Sequence, residues 1–264
     1  MKVSVITVCF NAAKTLPTAI ESALRQRDVD LEYIVVDGGS RDGTVELLKS
    51  YEPKFNGRMR WVSERDEGMY DAINKGIRMA TGDIVGILNS DDVFATDTTL
   101  SEIAAAFDDG VESVYADIRF VRSEMGQGGA CDLDKLRAMP TMRYYSASRW
   151  RPWMHNWGFM PPHPSVYIRR ETFARLSGYR LGYRISADFE LMTRYLCKAR
   201  IQYRYLPECV VTMRIGGMST NGWRSTLLLN RENVRANREN GYFCCMPMML
   251  PKYAFKVWGF LSRR

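Results

Sequence analysis

The sequence predicts an α/β fold built on a mainly parallel, mixed sheet with helices on both faces. In the first half of the chain, short apolar runs alternate with amphipathic helical segments, a pattern that implies parallel strands joined by crossover helices. The apolar runs are nearly continuous, which is typical of strands buried on both faces. With 264 residues, of which 46% are hydrophobic and 25% charged, the composition is that of a soluble globular protein.

The predicted elements follow one another in a regular order. Strands are predicted at 3–8, 31–36, 59–62, 84–88 and 113–117, and helices at 11–27, 43–51, 69–80 and 98–107. In the first helix Leu16, Ile20 and Leu24 recur every four residues, and in the third helix Ile73 and Ile77 have the same spacing. This spacing places each set on one helix face, as expected for helices that pack on a sheet.

Acidic residues follow several of the predicted strands. The stretches "DGGSRDGT", "SERDEGMY" and "NSDD" contain Asp37, Asp42, Asp66, Asp91 and Asp92. Because ligands of such sheets bind at the carboxyl ends of the strands, a shared polar ligand explains these carboxylates best. Asp42 precedes a glycine and is interpreted as a turn residue. Neither G-x-G-x-x-G nor G-x-x-x-x-G-K-[ST] follows the first strand, which argues against a dinucleotide cofactor and a P-loop.

Two adjacent aspartates follow the apolar run at 84–88 in "ILNSDDVF". Uncompensated carboxylates there would repel each other and lose solvation. One interpretation is a helix cap, in which Ser90 or an aspartate accepts hydrogen bonds from backbone amides. The other is a Mg²⁺ or Mn²⁺ site in which the phosphates of a ligand complete the coordination. This stretch alone is compatible with both interpretations.

Aromatic residues are concentrated in the Pro-rich stretch "YYSASRWRPWMHNWGFMPPHPS", within a region at 119–165 that is predicted to be irregular. These rings are either core residues or a platform on which sugar rings stack. Trp157 and His163 are the candidate acceptor-binding residues. His163 lies between Pro162 and Pro164, which would fix the direction of its side chain.

The stretch "ISADFELMTRYL" predicts the start of a helix with an apolar stripe. Ser186 is a candidate cap, and Asp188 and Glu190 fall in the first turn. Acids in this position are favoured by the helix dipole. The pattern is therefore compatible with a structural role as well as with chemistry.

The net charge is concentrated near the C-terminus. Residues 214–264 hold nine Lys or Arg and two Glu, and so account for the whole net charge of +7. Such a segment suggests a polyanionic partner, either nucleic acid or an anionic membrane. We expect no nucleic-acid partner, because a recognisable reading motif is lacking and the acidic strand ends would repel phosphates. A helix is predicted at 223–240, and the amphipathic segment 250–261 either lies at a membrane interface or docks on the body.

The motifs "VSVITVCFNAAKTLPTAIESALRQ", "EYIVVDGGSRDGT", "SERDEGMYDAINKGIRMATGD" and "ILNSDD", in this order, resemble those of family 2 glycosyltransferases with the GT-A fold. The wording of the third motif, with the later "PPHPSVYIRRETFARLSGY", is similar to a bacterial branch that builds O-antigen, capsule and exopolysaccharide. The resemblance implies a Rossmann-like GT-A catalytic domain followed by a basic helical tail. The implied limits are 1–115 for a nucleotide-sugar-binding half, 116–215 for an acceptor-binding half and 216–264 for the tail.

The resemblance also implies an activity and roles for individual residues. The activity would be the inverting transfer of a hexosyl-type sugar from a nucleotide sugar, with a UDP-sugar as the expected donor, to a glycan or polyprenyl-linked acceptor. The residues implied in nucleotide-sugar binding are Thr7, Cys9, Asn11, Asp37, Asp66, Asn89 and Ser90. Asp91 would bind Mg²⁺ or Mn²⁺ with help from Asp92, and Asp188 would be the general base. Asn89 replaces the first acid of the family's D-x-D motif, which leaves Asp91 as the main metal ligand.

The expected location is cytoplasmic, peripheral on the inner face of the cytoplasmic membrane. The six cysteines show no C-x-x-C spacing, and no apolar run approaches the roughly 20 residues that span a bilayer. We expect no signal peptide, because Met1 and Lys2 lead directly into the first predicted strand. The basic tail would hold the protein on the membrane, where a lipid-linked acceptor lies. The alternative function is a non-catalytic sugar-nucleotide-binding protein of the same fold, whose signature would be the loss of Asp91 or Asp188. Both residues are present.

Overall fold

The computed structural model describes residues 1–122, 132–215 and 222–253. The chain divides into two compact units, each made of three segments. Unit one consists of Met1–Ser148, Pro162–Gly178 and Gln202–Ile215, and unit two of Arg149–Pro161, Tyr179–Ile201 and Gly216–Arg264. The limits predicted from the sequence divide the chain differently, because two segments of the predicted catalytic domain group with the C-terminal residues.

The described residues of unit one form a nine-stranded mixed sheet. Its strands are β1 (Lys2–Cys9), β2 (Asp30–Asp37), β3 (Met59–Ser63), β4 (Ile84–Ile87), β5 (Val93–Phe94), β6 (Ser113–Val121), β7 (Thr141–Tyr145), β8 (Tyr167–Arg169) and β9 (Tyr203–Arg214). Their order is β3-β2-β1-β4-β8-β6-β9-β5, and β7 pairs with β6. The neighbours from β3 to β4 are parallel, as are β6 and β9, whereas β8, β7 and β5 pair in antiparallel fashion. The predicted mixed α/β sheet is confirmed.

Six α-helices belong to the described part of unit one. They are α1 (Leu16–Leu24), α2 (Thr44–Tyr51), α3 (Met69–Met79), α4 (Thr99–Ala105), α5 (Leu133–Ala138) and α6 (Arg170–Leu176). The region at 119–165, predicted to be irregular, in fact contains α5 and β7. The first helix starts later than predicted, because Asn11 has a left-handed φ of 50° and the helix begins with Pro17 in its first turn.

The core of unit one explains why these segments form this sheet. Leu16 and Ile20, predicted to share a face of α1, are both fully buried with the apolar residues of β1 and β2. Helix α3 approaches β1 very closely at Gly76, where an added Cβ would lie 2.4 Å from Cγ2 of Ile6. A larger residue at this position would push the helix away from the strand. This packing holds α3 against the middle of β1.

Unit two is mainly helical. It contains α7 (Ala187–Met192), which continues as a π-helical segment over Thr193–Lys198, and α8 (Gly222–Glu239). The helix predicted at 223–240 is therefore present. The ring of His155 is fully buried, 5.3 Å from the ring of Trp150 and 4.9 Å from that of Phe189 between centroids. These three buried rings pack together within unit two.

Residues that follow α8 also pack in the core of unit two. Cys244 and Met249 are fully buried and cluster with Val234 of α8. Most of the amphipathic segment predicted at 250–261 lies outside the described residues. Within the described ranges, no helix is both long enough and apolar enough to cross a membrane.

Candidate active site

Asp37 organises the loop that follows β2. The register of β1 and β2 places it beside Cys9, where both strands end. Its Oδ2 accepts hydrogen bonds from the amide of Ser40 at 2.9 Å and from the Ser63 hydroxyl at 2.6 Å, and its Oδ1 accepts one from the Ser40 hydroxyl. The carboxylate is fully buried and engaged by its own loop. Asp37 is thus a positioning residue in this structure, and its contact with a nucleobase stays a prediction.

The charge state of this strand end is set by those contacts. Burial raises the pKa of Asp37, but the hydrogen bonds from Ser40 and Ser63 outweigh burial and hold the pKa below its ordinary value. Burial and the charge of Asp37 together raise the pKa of the Cys9 thiol. Cys9 is therefore a neutral, protonated neighbour of a carboxylate rather than a nucleophile. Thr7 is also fully buried and accepts a hydrogen bond from the hydroxyl of Tyr33 at 3.0 Å, which places it in the core.

The loops after β1 and β2 are joined to each other. The amide of Asn11 donates to the Ser40 hydroxyl at 2.7 Å, and Oδ1 of Asn11 accepts from the amide of Arg41 at 2.9 Å. Asp42 accepts from the amide of Ala13 at 3.0 Å and from Thr44, the first residue of α2, which agrees with its interpretation as a turn residue. The two loops therefore form one supported edge.

A close approach of Asp66 and Phe10 to Gly38, which the sequence did not predict, lies beside these loops. An added Cβ at Gly38 would lie 2.8 Å from Oδ2 of Asp66 and 3.4 Å from Cδ2 of Phe10. Phe10 is 65% exposed although it directly follows a buried strand. Oδ1 of Asp66 accepts from the amide of Gly68 at 2.9 Å, so its other oxygen faces Gly38. An open aromatic face next to a carboxylate can stack on a planar ring and accept its N–H groups.

The "NSDD" stretch forms a turn at the end of β4. The amide of Asp92 donates to the carbonyl of Asn89 at 3.1 Å, and Nδ2 of Asn89 donates to Oδ2 of Asp92 at 2.8 Å. The pair does not cap a helix, because strand β5 follows and α4 begins only after Thr98. Asp92 is buried, whereas Ser90 and Asp91 are half-buried. Burial and the charge of Asp91 raise the pKa of Asp92 well above its ordinary value.

Arg214 is a second residue that the sequence did not point to. It is buried at the end of β9, where its guanidinium donates to the carbonyl of Asp91 at 2.9 Å and to the hydroxyl of Thr18 at 2.8 Å. Its positive charge opposes part of the upward shift in the pKa of Asp92. Arg214 therefore fixes the backbone of the turn and partly compensates its charge.

The turn supplies some, but not all, of the ligands that a divalent cation needs. Oδ1 of Asp92 is buried and has no hydrogen-bond partner among the described residues. Asp91 supplies a second carboxylate and Asn89 an amide oxygen, which are ligand types that Mg²⁺ and Mn²⁺ accept. No group of three or more His, Cys, Asp or Glu that could hold a metal occurs in the described ranges. A cation at this turn would need further oxygen ligands from a bound molecule such as a diphosphate.

In unit two, Asp188 and Glu190 have different surroundings. Asp188 is half-buried, and its Oδ1 accepts from the amide of Phe189 at 2.8 Å. Glu190 is fully buried and pairs with Arg194 at 3.0 Å and with Arg180 at 3.2 Å. The Glu190 carboxylate is thus committed to ion pairs. Of the two acids, Asp188 is the more exposed.

The two candidate acceptor residues lie in different units. Trp157, at the end of a 3₁₀ helix in unit two, is 38% exposed. His163 begins a short 3₁₀ turn in unit one and is half-buried. This turn is anchored by Ser165, whose hydroxyl donates to the carbonyl of Ala116 at 2.7 Å. Neither residue's contact with an acceptor follows from these positions, so both assignments stay predictions.

Comparison with known proteins agrees with this arrangement. The family described as Glycosyl transferase family 2 matches residues 4–173. A PGL/p-HBAD biosynthesis glycosyltransferase of Mycobacterium bovis is 30% identical over 219 residues, covering 82% of this chain and 78% of the relative.

Solved structures share the fold. The mannosyltransferase PcManGT from Pyrobaculum calidifontis, in complex with GDP-Man and Mn²⁺, has a TM-score of 0.64 at 19% identity and covers 99% of this chain and 75% of that one. S. aureus TarS 1-349 in complex with UDP-GlcNAc has a TM-score of 0.61 at 18% identity, covering 90% of this chain and 68% of that one. A longer chain described as S. aureus TarS also matches, with a TM-score of 0.59, and the present chain covers 40% of it. The ordered strand-end motifs, the mixed sheet and the extent of the family match together show that this chain belongs to glycosyl transferase family 2.

Proposed function

We propose that the protein is an inverting glycosyltransferase that moves a sugar from a nucleoside-diphosphate sugar to a glycan or lipid-linked glycan acceptor. The observation that carries the proposal is the turn at Asn89–Asp92, where a strand of the sheet ends in two adjacent carboxylates, one of them with a buried oxygen that has no partner in the described part of the chain. Such a turn suits a diphosphate with its cation. The Mn²⁺ and GDP-Man named for PcManGT agree with this assignment.

The donor's nucleoside would bind at the edge formed by the loops after β1 and β2. Phe10 offers an exposed ring for stacking, and Oδ2 of Asp66 offers an acceptor for base or ribose donors. Asn11 and Asp37 hold this edge in shape through their contacts with Ser40. A UDP-sugar is the donor that we propose first, as in the TarS complex.

Mg²⁺ or Mn²⁺ would be held by Asp91 and Asp92 with Asn89 and Ser90 nearby, and when bound it would supply positive charge for the departing diphosphate. The shape of the turn does not depend on the cation. Arg214 holds the carbonyl of Asp91 and so keeps the two carboxylates at the end of β4.

Asp188 is proposed as the general base. Its carboxylate takes the proton of the acceptor hydroxyl, the acceptor oxygen forms a bond to the anomeric carbon, and the bond from that carbon to the diphosphate breaks. Attack opposite the leaving group inverts the anomeric centre. The nucleoside diphosphate leaves with the bonding electron pair, and Asp188 later releases its proton to water. Trp157 and His163 are the proposed acceptor contacts.

We propose a class of acceptor, a glycan or a lipid-linked glycan, and not a particular biosynthetic pathway. The mycobacterial relative is named for PGL/p-HBAD biosynthesis rather than for O-antigen or capsule synthesis. A lipid-linked glycan, including a polyprenyl-linked one, would require access to a membrane surface. We therefore propose that the protein associates with the membrane surface through basic residues near the C-terminus, among them Lys256, Arg263 and Arg264.

A donor screen tests the proposal. Release of nucleoside diphosphate from a panel of UDP- and GDP-sugars is measured with a mixture of glycan and lipid-linked acceptors, with Mg²⁺ or Mn²⁺ and with EDTA. Acceptor-dependent release from one donor, abolished in Asp188→Asn, is the expected result. Tight donor binding without release in any acceptor mixture would instead favour the non-catalytic sugar-nucleotide-binding protein.

A further inference from the structure

Glu232 of α8 binds the backbone of the segment that leads into α7. Its Oε1 accepts from the amide of Arg184 at 2.8 Å, and its Oε2 accepts from the amides of Ile185 and Ser186, both at 2.9 Å. Glu232 is only 7% exposed, so this carboxylate is buried against three consecutive N–H groups. Three successive amides form a concave anion-binding arrangement.

The first turn of α7 has no capping hydrogen bond from the side chain at its cap position. Ser186 occupies the cap position, but its side chain makes no capping hydrogen bond. Instead its hydroxyl points towards α8 and donates to the carbonyl of Leu229 at 3.4 Å. The carbonyl of Ser186 accepts from the amide of Glu190, which is the first turn of α7. Residues of α8 therefore hold Ser186 from one side, while α7 begins on the other.

Asp188 lies two residues after Ser186, and its direction depends on that backbone. Its Oδ1 is aligned by the amide of Phe189, so the carboxylate turns with the first turn of the helix. A shift of the 184–186 backbone would shift this turn and the carboxylate with it. Catalytic groups tolerate little displacement from a productive geometry.

We propose that Glu232 is a positioning residue for Asp188, acting through the three amides at 184–186. The inference rests on the proposed function in which Asp188 is the general base. Glu232 itself is buried and both of its oxygens are engaged, so it does not act on the substrate. Glu232 thus acts from α8 by holding the backbone that precedes Asp188, and it does not contact the reacting atoms.

The test compares Glu232→Gln with Glu239→Gln, a matched loss of charge on the same helix. Glu239 is bound by the hydroxyl of Tyr183 at 2.7 Å and by Arg235 at 2.6 Å, and it contacts none of the three amides. In Glu232→Gln the carboxamide presents N–H groups to backbone N–H groups. We expect kcat to fall by about 10- to 100-fold while the donor KM stays within about twofold. Glu239→Gln is expected to keep kcat near that of the wild type, although its thermal stability falls.

Hydrogen exchange gives a readout that is independent of activity. Amides 184–186 should exchange faster in Glu232→Gln and at the wild-type rate in Glu239→Gln. Equal losses of kcat in both variants, or unchanged kcat in Glu232→Gln, would overturn the positioning role. The Asp188→Asn variant separates this failure from that of the proposed function. If Asp188→Asn is inactive while Glu232→Gln is fully active, only the positioning role is lost; if Asp188→Asn is active, both assignments fall.

Discussion

Asn89 donates from Nδ2 to Oδ2 of Asp92 over 2.8 Å, across the turn that ends β4. The second oxygen of Asp92 is buried and has no hydrogen-bond partner in the described part of the chain. Burial and the charge of Asp91 raise the pKa of Asp92. A buried carboxylate in this condition is stabilised by binding either a proton or a cation. The turn should therefore respond to both pH and divalent metal.

Asp91→Asn is expected to abolish metal-dependent donor binding while the fold is retained. Asp91 is the more exposed of the two carboxylates of the turn and would be the main metal ligand, and an amide is a weaker ligand. Calorimetric titration of a UDP-sugar with and without Mn²⁺ measures the effect. Asp83→Asn is the control, because Asp83 lies at the opposite end of β4 and accepts from the amide of Lys2. Wild-type turnover that continues unchanged in EDTA would remove the metal from the proposal.

Asp92→Asn is expected to stabilise the metal-free protein at neutral pH. Since the folded-state pKa lies above the unfolded value near 3.8, the stability contributed by protonated Asp92 is present at low pH and is lost as the pH rises through the folded pKa. An asparagine is neutral throughout and can still accept from Asn89. We expect a Tm higher by about 2–4 °C, measured without metal by calorimetry. A lower Tm would mean that Arg214 already compensates the charge.

Asp188→Asn should lower kcat by about 10²–10⁴-fold with donor affinity almost unchanged, because it removes the proton acceptor and keeps the side-chain shape. Steady-state kinetics measure kcat, and equilibrium binding measures the affinity for the donor. The informative comparison is Glu190→Gln. If that variant were inactive although folded and Asp188→Asn were active, the base would be Glu190.

Glu190→Gln should act mainly on stability. Removing its charge leaves Arg194 buried beside a neutral group, and the loss of one partner of a buried pair costs about 3–5 kcal/mol. Urea unfolding measures this loss. Glu171→Gln, at an exposed position of α6, serves as the control and should unfold like the wild type. An unchanged urea midpoint for Glu190→Gln would show that the ion pair contributes little.

His155 should make unit two sensitive to acid. Burial lowers the pKa of His155 from 6.5 to about 3, and neither ring nitrogen has a hydrogen-bond partner among the described residues. The folded-state pKa lies below the unfolded one, so this contribution to stability is present above pH 6.5 and is lost as the pH falls towards 3. The slope is at most about 1.4 kcal/mol per pH unit. His155→Phe should flatten the pH dependence of urea unfolding; an equally steep dependence would assign it to other groups.

A deletion that tests the basic C-terminal residues has to begin after the residues that pack in unit two, of which Tyr253 still bonds Asn230 of α8. Because Cys244 and Met249 are buried in unit two, a deletion that starts at 242 would remove core residues. Deletion of 254–264 should leave a folded enzyme that uses a water-soluble acceptor and no longer binds anionic vesicles. Each Lys or Arg lost costs about 1 kcal/mol of membrane affinity. Vesicle sedimentation at low and high salt measures the binding. Aggregation of the shortened protein would assign these residues to the core.

The first half of the fold was predictable because its signals are local. Apolar runs and four-residue spacings lie within single elements, so β1 to β4 and the helices between them follow from the sequence. The predicted start of α1 at residue 11 is wrong, because Asn11 has a left-handed conformation and contacts the neighbouring loop. Strand β9 was missed because its partner is far away in the sequence: Arg119 of β6 bonds Thr212 across 93 residues.

The candidate site shows the same division. The acids of the strand ends could be located from the sequence, but their individual states could not. That Asp37 is engaged by its own loop follows only from the contacts of Ser40 and Ser63. Arg214 approaches Asp91 from 123 positions along the chain, with no motif to mark it. Phe10 does carry a signal in the sequence, since a large aromatic residue directly follows a buried strand.

Unit two is assembled from three separate stretches of the chain, which has a consequence for synthesis on the ribosome. The stretches around His155 and Phe189 emerge well before α8 and the residues up to Met249 that complete their packing. Until then, the carbonyl of His155 lacks the hydrogen bond from Asn237, and the buried carboxylate of Glu190 lacks the one from Asn240. Chain termination near residue 215, the boundary that the sequence suggested, would leave these contacts unmade. Truncated chains of that length should be substrates for chaperones and proteases rather than smaller enzymes.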